Sequence, residues 1–119
     1  MPHKLPNYLR THRKRAGLTQ DEVAYLLGCR DGAKVSCHER FTRQPSLETL
    51  FAYQVIFQSP ARELFAGVFR KVERRTSGRV RVLLRKLNRK TPDRLTAQKV
   101  GFLRTISSRT DATDPEHPS

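Results

Sequence analysis

Two glycines, Gly17 and Gly28, bracket the segment that most constrains the fold of this chain. Between them lies Thr19-Gln20-Asp21-Glu22, followed by apolar residues at helical spacing. A threonine caps the free amides at a helix start, and a glutamate three positions later reaches back to the threonine backbone, which together form a capping box. Glycine ends helices readily because it accepts a left-handed backbone conformation. The segment therefore predicts a short helix that begins after Thr19 and ends at Gly28.

Residues that start and cap helices also lie on both sides of this segment. Pro6-Asn7 precedes a predicted first helix over Tyr8–Ala16. Asp31 is placed to cap a third helix that runs to about Arg40, and Pro45-Ser46 opens a fourth. No stretch shows the alternating pattern of a strand, so residues 1–58 predict a compact all-α unit. In the fourth helix, the side chains expected to face the core are those of Leu47, Leu50, Phe51, Val55 and Ile56.

Residues 59–104 are predicted to form a basic, amphipathic helical extension. Apolar residues at 65, 68, 69, 72, 80, 83, 84 and 87 share one broad helical face. We expect the helix to bend or break at Ser77-Gly78, and Thr91-Pro92-Asp93 to start a last helix that reaches about Thr105. Residues 105–119 are polar and contain proline, so we expect them to form a disordered tail. On the opposite side of the amphipathic helix lie Arg70, Lys71, Arg74, Arg81, Arg85 and Arg89.

The charge of the chain points to a polyanionic partner. The sequence has 24 Lys and Arg against 11 Asp and Glu, and residues 59–104 alone hold fourteen against three. No run approaches the ~18 apolar residues that a membrane-spanning helix needs, and Met1–Pro6 lacks the apolar stretch of a secretory signal. Two cysteines do not make a disulfide framework, so we expect a reduced, cytoplasmic protein that does not act at a membrane.

Several of these residues match the pattern of a known protein family. The stretch Arg13–Ala24 resembles the opening of the Cro/lambda-repressor-like helix-turn-helix family, also called the XRE family. Leu27-Gly28, Val35-Ser36 with Glu39, and Pro45–Leu50 follow in the order of the family, so that the likeness covers about residues 7–57. It implies a five-helix DNA-binding domain whose third helix lies in the DNA major groove. It further implies a transcriptional regulator that binds double-stranded DNA as a homodimer.

The resemblance also implies roles for individual residues. Arg13 and Glu39 match a structural pair that bridges the first and third helices. With Val35 as the buried anchor, the expected base contacts come from Ala33, Lys34, Ser36, Cys37 and Arg40. The expected phosphate contacts come from Thr19, Gln20, Arg30, Arg43 and Gln44.

Two positions depart from the family pattern. The loop that contains Cys29–Gly32 is one residue longer than is usual in the family, and His12 stands where the family has a core leucine. His12 is either a buried, hydrogen-bonded imidazole or a surface side chain.

Other kinds of site find little support in the sequence. Cys29, Cys37 and His38 lack the spacing of zinc ligands, and we expect no metal and no cofactor. No nucleophile elbow, phosphate-cradling loop or carboxylate cluster is present, so the chain is read as a non-enzyme.

Two further functions stay open beside the regulator. One is an antitoxin or adaptor that uses the same fold and binds a protein partner through residues 61–104. The other is a nonspecific basic nucleic-acid-binding protein. We expect residues 61–104 to supply the dimer contacts, and the arginines of the basic helix to be either solvated or in contact with phosphate.

Overall fold

The computed structural model describes residues 6–91 and 93–113, and within these ranges the regular secondary structure is entirely helical, without a strand. The predicted all-α class is thus confirmed for the described residues. The chain divides into two compact units, the first ending at Phe69 and the second beginning at Arg70. The helices are α1 (Leu9–Ala16), α2 (Gln20–Leu27), α3 (Ala33–Glu39), α4 (Leu47–Phe57), α5 (Ala61–Leu64), α6 (Ala66–Asn88) and α7 (Arg94–Thr113).

The capping residues at the start of α2 and at the end of α1 are the ones that the sequence predicts. The hydroxyl of Thr19 accepts a hydrogen bond from the Glu22 backbone at 3.0 Å, and the Glu22 carboxylate accepts one from the Thr19 backbone at 2.8 Å. Gly17 ends α1 with φ of 74°, a left-handed conformation that favours glycine. The capping box and the glycine helix end are therefore confirmed.

The start of α3 differs from the prediction that Asp31 is its N-cap. The helix begins at Ala33, whose backbone N–H donates to the Asp31 carboxylate at 2.9 Å. The N-cap position is taken by Gly32, whose N–H donates to Oδ1 of Asp21 at 2.8 Å. A Cβ at position 32 would lie 2.8 Å from that oxygen and 3.1 Å from the carbonyl carbon of Gln20. Only glycine fits here, because α3 begins directly against the first turn of α2.

The core of the first unit is centred on a residue that the sequence analysis did not select. Tyr53 of α4 is fully buried, and its ring stacks on Phe57 with the centroids 6.2 Å apart. The prediction that Leu47, Phe51 and Val55 face the core is wrong, because α4 is turned so that these three side chains lie opposite Tyr53. The buried apolar residues of this core are Leu9, Val23, Ala24, Val35, Tyr53, Leu64 and Phe65, with Leu50 and Ile56 packed against them.

The first unit extends past the boundary expected at residue 58. Leu64 of α5 is fully buried, and its carbonyl accepts the backbone N–H of Tyr8 at 2.7 Å. Val68, in the first turn of α6, packs against the same core and donates its N–H to Pro6. The short α5 and the first residues of α6 therefore close the core over the start of α1, which moves the boundary to Phe69.

The second unit holds the rest of α6 and α7. The expectation of a bend or break at Ser77-Gly78 is wrong, since α6 runs through both residues and buries Ser77. Ser77, Val80 and Leu87 are buried at intervals of three and seven, and Val100, Leu103 and Ile106 of α7 are half-buried at intervals of three. Each set lies on one side of its helix, as in an amphipathic helix.

The last helix also differs from its predicted limits. Its cap is Asp93, whose carboxylate accepts the Thr96 N–H at 2.7 Å, and this hydrogen bond lowers the pKa of Asp93. Pro92 lies outside the described residues. Helix α7 continues to Thr113, so the predicted disordered tail is wrong for residues 105–113, where Ile106 prolongs the half-buried stripe. Residues 114–119 lie outside the described part of the chain.

Candidate nucleic-acid interface

Helix α3 is tied to α1 and α2 by a nearly buried ion pair. Arg13 donates to the two carboxylate oxygens of Glu39, from Nε at 2.5 Å and from Nη2 at 3.2 Å. The side chains are 12% and 4% exposed, and the hydrogen bond that Arg13 donates to Glu39 raises the pKa of Arg13. Gln20 donates its amide to the same carboxylate at 3.1 Å, and Arg13 also donates to the Leu18 carbonyl at 3.0 Å. The structure thus brings the predicted pair together and adds Gln20 to it.

The inner side of α3 is held by a second polar cluster. Nδ1 of His38 and the hydroxyl of Tyr53 are 2.7 Å apart and share a buried hydrogen bond. Asn7, which accepts the Leu9 N–H on its side chain, donates to the His38 carbonyl at 2.9 Å. Burial lowers the pKa of His38, with the charges of Lys34 and Arg43 acting in the same direction, and burial raises the pKa of Tyr53. Burial and the neighbouring cations therefore favour the neutral form of the His38 imidazole.

The outer side of α3 carries the residues predicted to contact bases. Val35 and His38 point into the unit and are buried, while Ala33, Lys34 and Arg40 are exposed. Ser36 and Cys37 are half-buried at the flanks of the helix. Nε of Arg40 donates to the Ser36 carbonyl at 3.3 Å, which lays the guanidinium back along the helix.

One flank of α3 borders a cleft of about 670 Å³. Thr19 and Gln20 lie on its lining where α2 begins, Ser36 lines it from α3, and Arg40 lines it from the C-cap of α3. Arg10 lines the cleft from α1 and is a cation that the sequence analysis missed. The signal for it was its position three residues before Arg13, which places both arginines on one side of α1.

The other flank borders a cavity of about 410 Å³ with a different set of cations. Arg30, Lys34 and Arg43 line it together with the half-buried Cys29 and Cys37. The structure thus brings the predicted phosphate residues Arg30 and Arg43 to the same side of α3. Gln44 is exposed in the loop after α3 and does not line this cavity.

His12 and the cysteines take ordinary positions. His12 is half-buried, and its ring lies 5.9 Å from that of Phe57, so it is neither a fully buried nor a free surface side chain. Cys29 packs against the core. Within the described residues, no group of three or more His, Cys, Asp or Glu side chains is placed to hold a metal ion.

Comparison with known protein families, with curated proteins and with solved structures finds no match for the chain. Among the described helices, none has the length and apolar character needed to cross a membrane.

Proposed function

We propose that the protein is a sequence-specific DNA-binding transcriptional regulator of the lambda-repressor-like kind, in which α2 and α3 act as the helix-turn-helix. One observation carries the proposal. Helix α3 turns a small and polar face outward, and a concavity with arginines on its lining lies on each side of that face, the first also lined by Asp21 and Glu39 and the second by Asp31. A helix in the major groove meets the same pattern on DNA, with base edges in front of it and a phosphate row on either side.

The side chains of α3 suit this position. Ala33 is small enough for close approach to the groove floor, and Lys34 in the first turn can donate to O6 or N7 of guanine. Arg10 on one flank, and Arg30 and Arg43 on the other, suit contacts with phosphates, which supply most of the affinity of such complexes. Arg40, which was expected to contact bases, borders the same flank as Arg10, and we propose that it contacts a phosphate there as well. Thr19 and Gln20 lie where α2 presents its first backbone amides, a favourable place for an anion.

A regulator of this kind binds two half-sites through a symmetric dimer. The first unit presents a single α3, so one copy reads one half-site. We therefore include a homodimer on double-stranded DNA in the proposal.

The test compares Lys34→Ala with wild type on DNA that the protein selects from a random pool. Loss of a direct base contact should cost about 1–3 kcal/mol on the selected site and much less on random DNA. The matched control is Arg85→Gln with Arg89→Gln, since Arg85 is exposed on α6 and Arg89 is exposed in the turn that follows it. The control pair should weaken binding to all sequences alike, and each lost phosphate contact should reduce the log–log salt slope by about 0.9. Equal losses on selected and random DNA for Lys34→Ala would contradict the proposed readout.

The cations of α6 favour a second candidate function, nonspecific binding of nucleic acid. Such a protein would bind the selected site and competitor DNA with nearly equal affinity. Its Lys34→Ala variant would differ little from wild type, while the α6 variant would lose most of its affinity. The exposed cations on α6 are Lys71, Arg74, Arg75, Arg79, Arg81, Arg85 and Lys86.

A further inference from the structure

The outer face of α4 carries an apolar stripe with nothing of the first unit packed on it. Leu47, Phe51 and Val55 are 66%, 52% and 75% exposed. They stand four residues apart, so they form one row along the helix. The row lies opposite Tyr53, the fully buried residue of the same helix. We refer to Leu47, Phe51 and Val55 as the α4 stripe.

The charge of α4 sets this face apart from the rest of the molecule. The chain has a formal net charge of +13, but between Leu47 and Phe57 its only charged residue is Glu48. A polyanion has no cation to contact on this helix. Two copies of the face, in contrast, meet with little charge repulsion, and exposed apolar rows of this kind mark protein–protein contacts.

We propose that the α4 stripe is the surface on which a second copy of the chain docks, with the two α4 helices antiparallel and the two-fold axis at Phe51. Phe51 is the middle of the row, with Leu47 four residues before it and Val55 four residues after it. Two-fold symmetry then places Phe51 against its own equivalent, and Leu47 against Val55 of the second copy. The inference rests on the proposed function and deepens it, because it names the surface that forms the dimer.

The second unit offers a competing apolar surface, but its charge opposes contact between copies. Val72, Leu83, Leu95 and Phe102 are 43%, 44%, 59% and 66% exposed. Arg79 lies on the same side of α6 as Val72 and Leu83. Residues 70–104 contain thirteen Lys and Arg against two acidic residues. Like charges brought together in this way disfavour association. The inferred interface therefore differs from the expectation that residues 61–104 supply the dimer contacts.

The size of the α4 stripe predicts how tightly the dimer forms. Three partly exposed side chains give an apolar patch of a few hundred Å², below the ~800 Å² per partner of a standard interface. We therefore expect a dimer that dissociates in about the micromolar range, and that forms fully when two half-sites hold the copies side by side.

The experiment measures the oligomeric state of the full chain without DNA, by sedimentation velocity from about 1 to 300 μM, a range chosen around the micromolar dissociation constant expected of a small interface. Wild type should dimerise, and Phe51→Glu should weaken the dimer at least tenfold. Phe102→Glu is the matched control, since it places the same charge on an exposed phenylalanine of the second unit, and it should leave the dimer unchanged. Circular dichroism checks that both variants stay folded, which the exposure of both rings leads us to expect.

Three results would overturn the inference. They are a wild-type chain that stays monomeric throughout, a loss of the dimer in Phe102→Glu but not in Phe51→Glu, and an equal loss in both. The DNA test with Lys34→Ala is separate from this one. A specific dimer that lacks sequence preference would refute the proposed function alone, whereas sequence-specific binding by a chain that Phe51→Glu does not affect would refute the α4 interface alone.

Discussion

The ion pair between Arg13 and Glu39 allows the sharpest prediction about stability. Glu39 accepts two hydrogen bonds from Arg13 and one from Gln20, and its side chain is 4% exposed. Glu39→Ala removes all three hydrogen bonds and leaves the guanidinium of Arg13 in place. The variant should therefore be destabilised by the loss of a partner for a charge that is almost out of water.

The structure sets the expected size of this effect. Removing one partner of a buried ion pair typically costs about 3–5 kcal/mol. Arg13 keeps its hydrogen bond to the Leu18 carbonyl and is 12% exposed, so part of its charge stays solvated. We therefore expect the lower end, about 3 kcal/mol for Glu39→Ala. Arg13→Ala leaves a more deeply buried carboxylate and should cost about 4 kcal/mol, with the double variant well below the sum.

Urea unfolding followed by circular dichroism measures these differences. With a slope of about 1.5–2 kcal/mol per molar urea, a loss of 3 kcal/mol lowers the midpoint by about 1.5–2 M. The control is Glu48→Ala, whose carboxylate is exposed in the first turn of α4 and should matter by about 0.3–1 kcal/mol. A Glu39→Ala midpoint close to that of Glu48→Ala would refute the reasoning, because it would mean that the pair is solvated and that α3 is held by other contacts.

Two further predictions concern the core and the glycines. Tyr53→Phe removes the hydroxyl that pairs with His38 and should cost about 1–3 kcal/mol. Because the pKa of His38 is lowered in the folded protein, the neutral imidazole contributes to the free energy of unfolding. This contribution is complete above the pKa of the unfolded chain, near 6.5, and is lost as the pH falls below it. A His38→Gln variant whose urea midpoint falls as much as that of wild type over the same pH range would contradict this. Gly17→Ala should destabilise by about 1 kcal/mol, because φ there is 74°. Gly78 lies inside α6 with open space where a Cβ would stand, so Gly78→Ala should stabilise the protein by about 0.5–1 kcal/mol. Thermal unfolding in which both alanine variants shift the midpoint in the same direction would contradict these two predictions.

The sequence could predict the parts of the fold that depend on local chemistry. A capping box needs only Thr19 and Glu22 at their spacing, and a glycine helix end needs only Gly17, so both were readable from neighbouring residues. The N-cap of α4 at Ser46 was equally local, and its hydroxyl accepts the Thr49 N–H at 3.2 Å.

Features that depend on tertiary packing could not be predicted in the same way. The rotation of α4 was misjudged because both of its sides are apolar, so that periodicity alone does not choose between Phe51 and Tyr53. Gly78 was expected to interrupt the helix because glycine has a low helix propensity. The cost in free energy is small, and α6 continues through it. The cleft beside α2 was missed because Arg10 joins it only once α1 and α3 are packed together.

The contacts of α3 separate the residues that hold the helix in place from those on its outer face. The helix has seven residues, too short to be stable alone, since isolated helices need about 12–15. Its start is fixed by the hydrogen bond from Gly32 to Asp21, and its end by His38 and Glu39, whose partners are Tyr53, Arg13 and Gln20. The side chains of Ala33 and Lys34 make none of these hydrogen bonds. Substitutions at these two positions should therefore change what the outer face of α3 recognises while they leave its orientation intact.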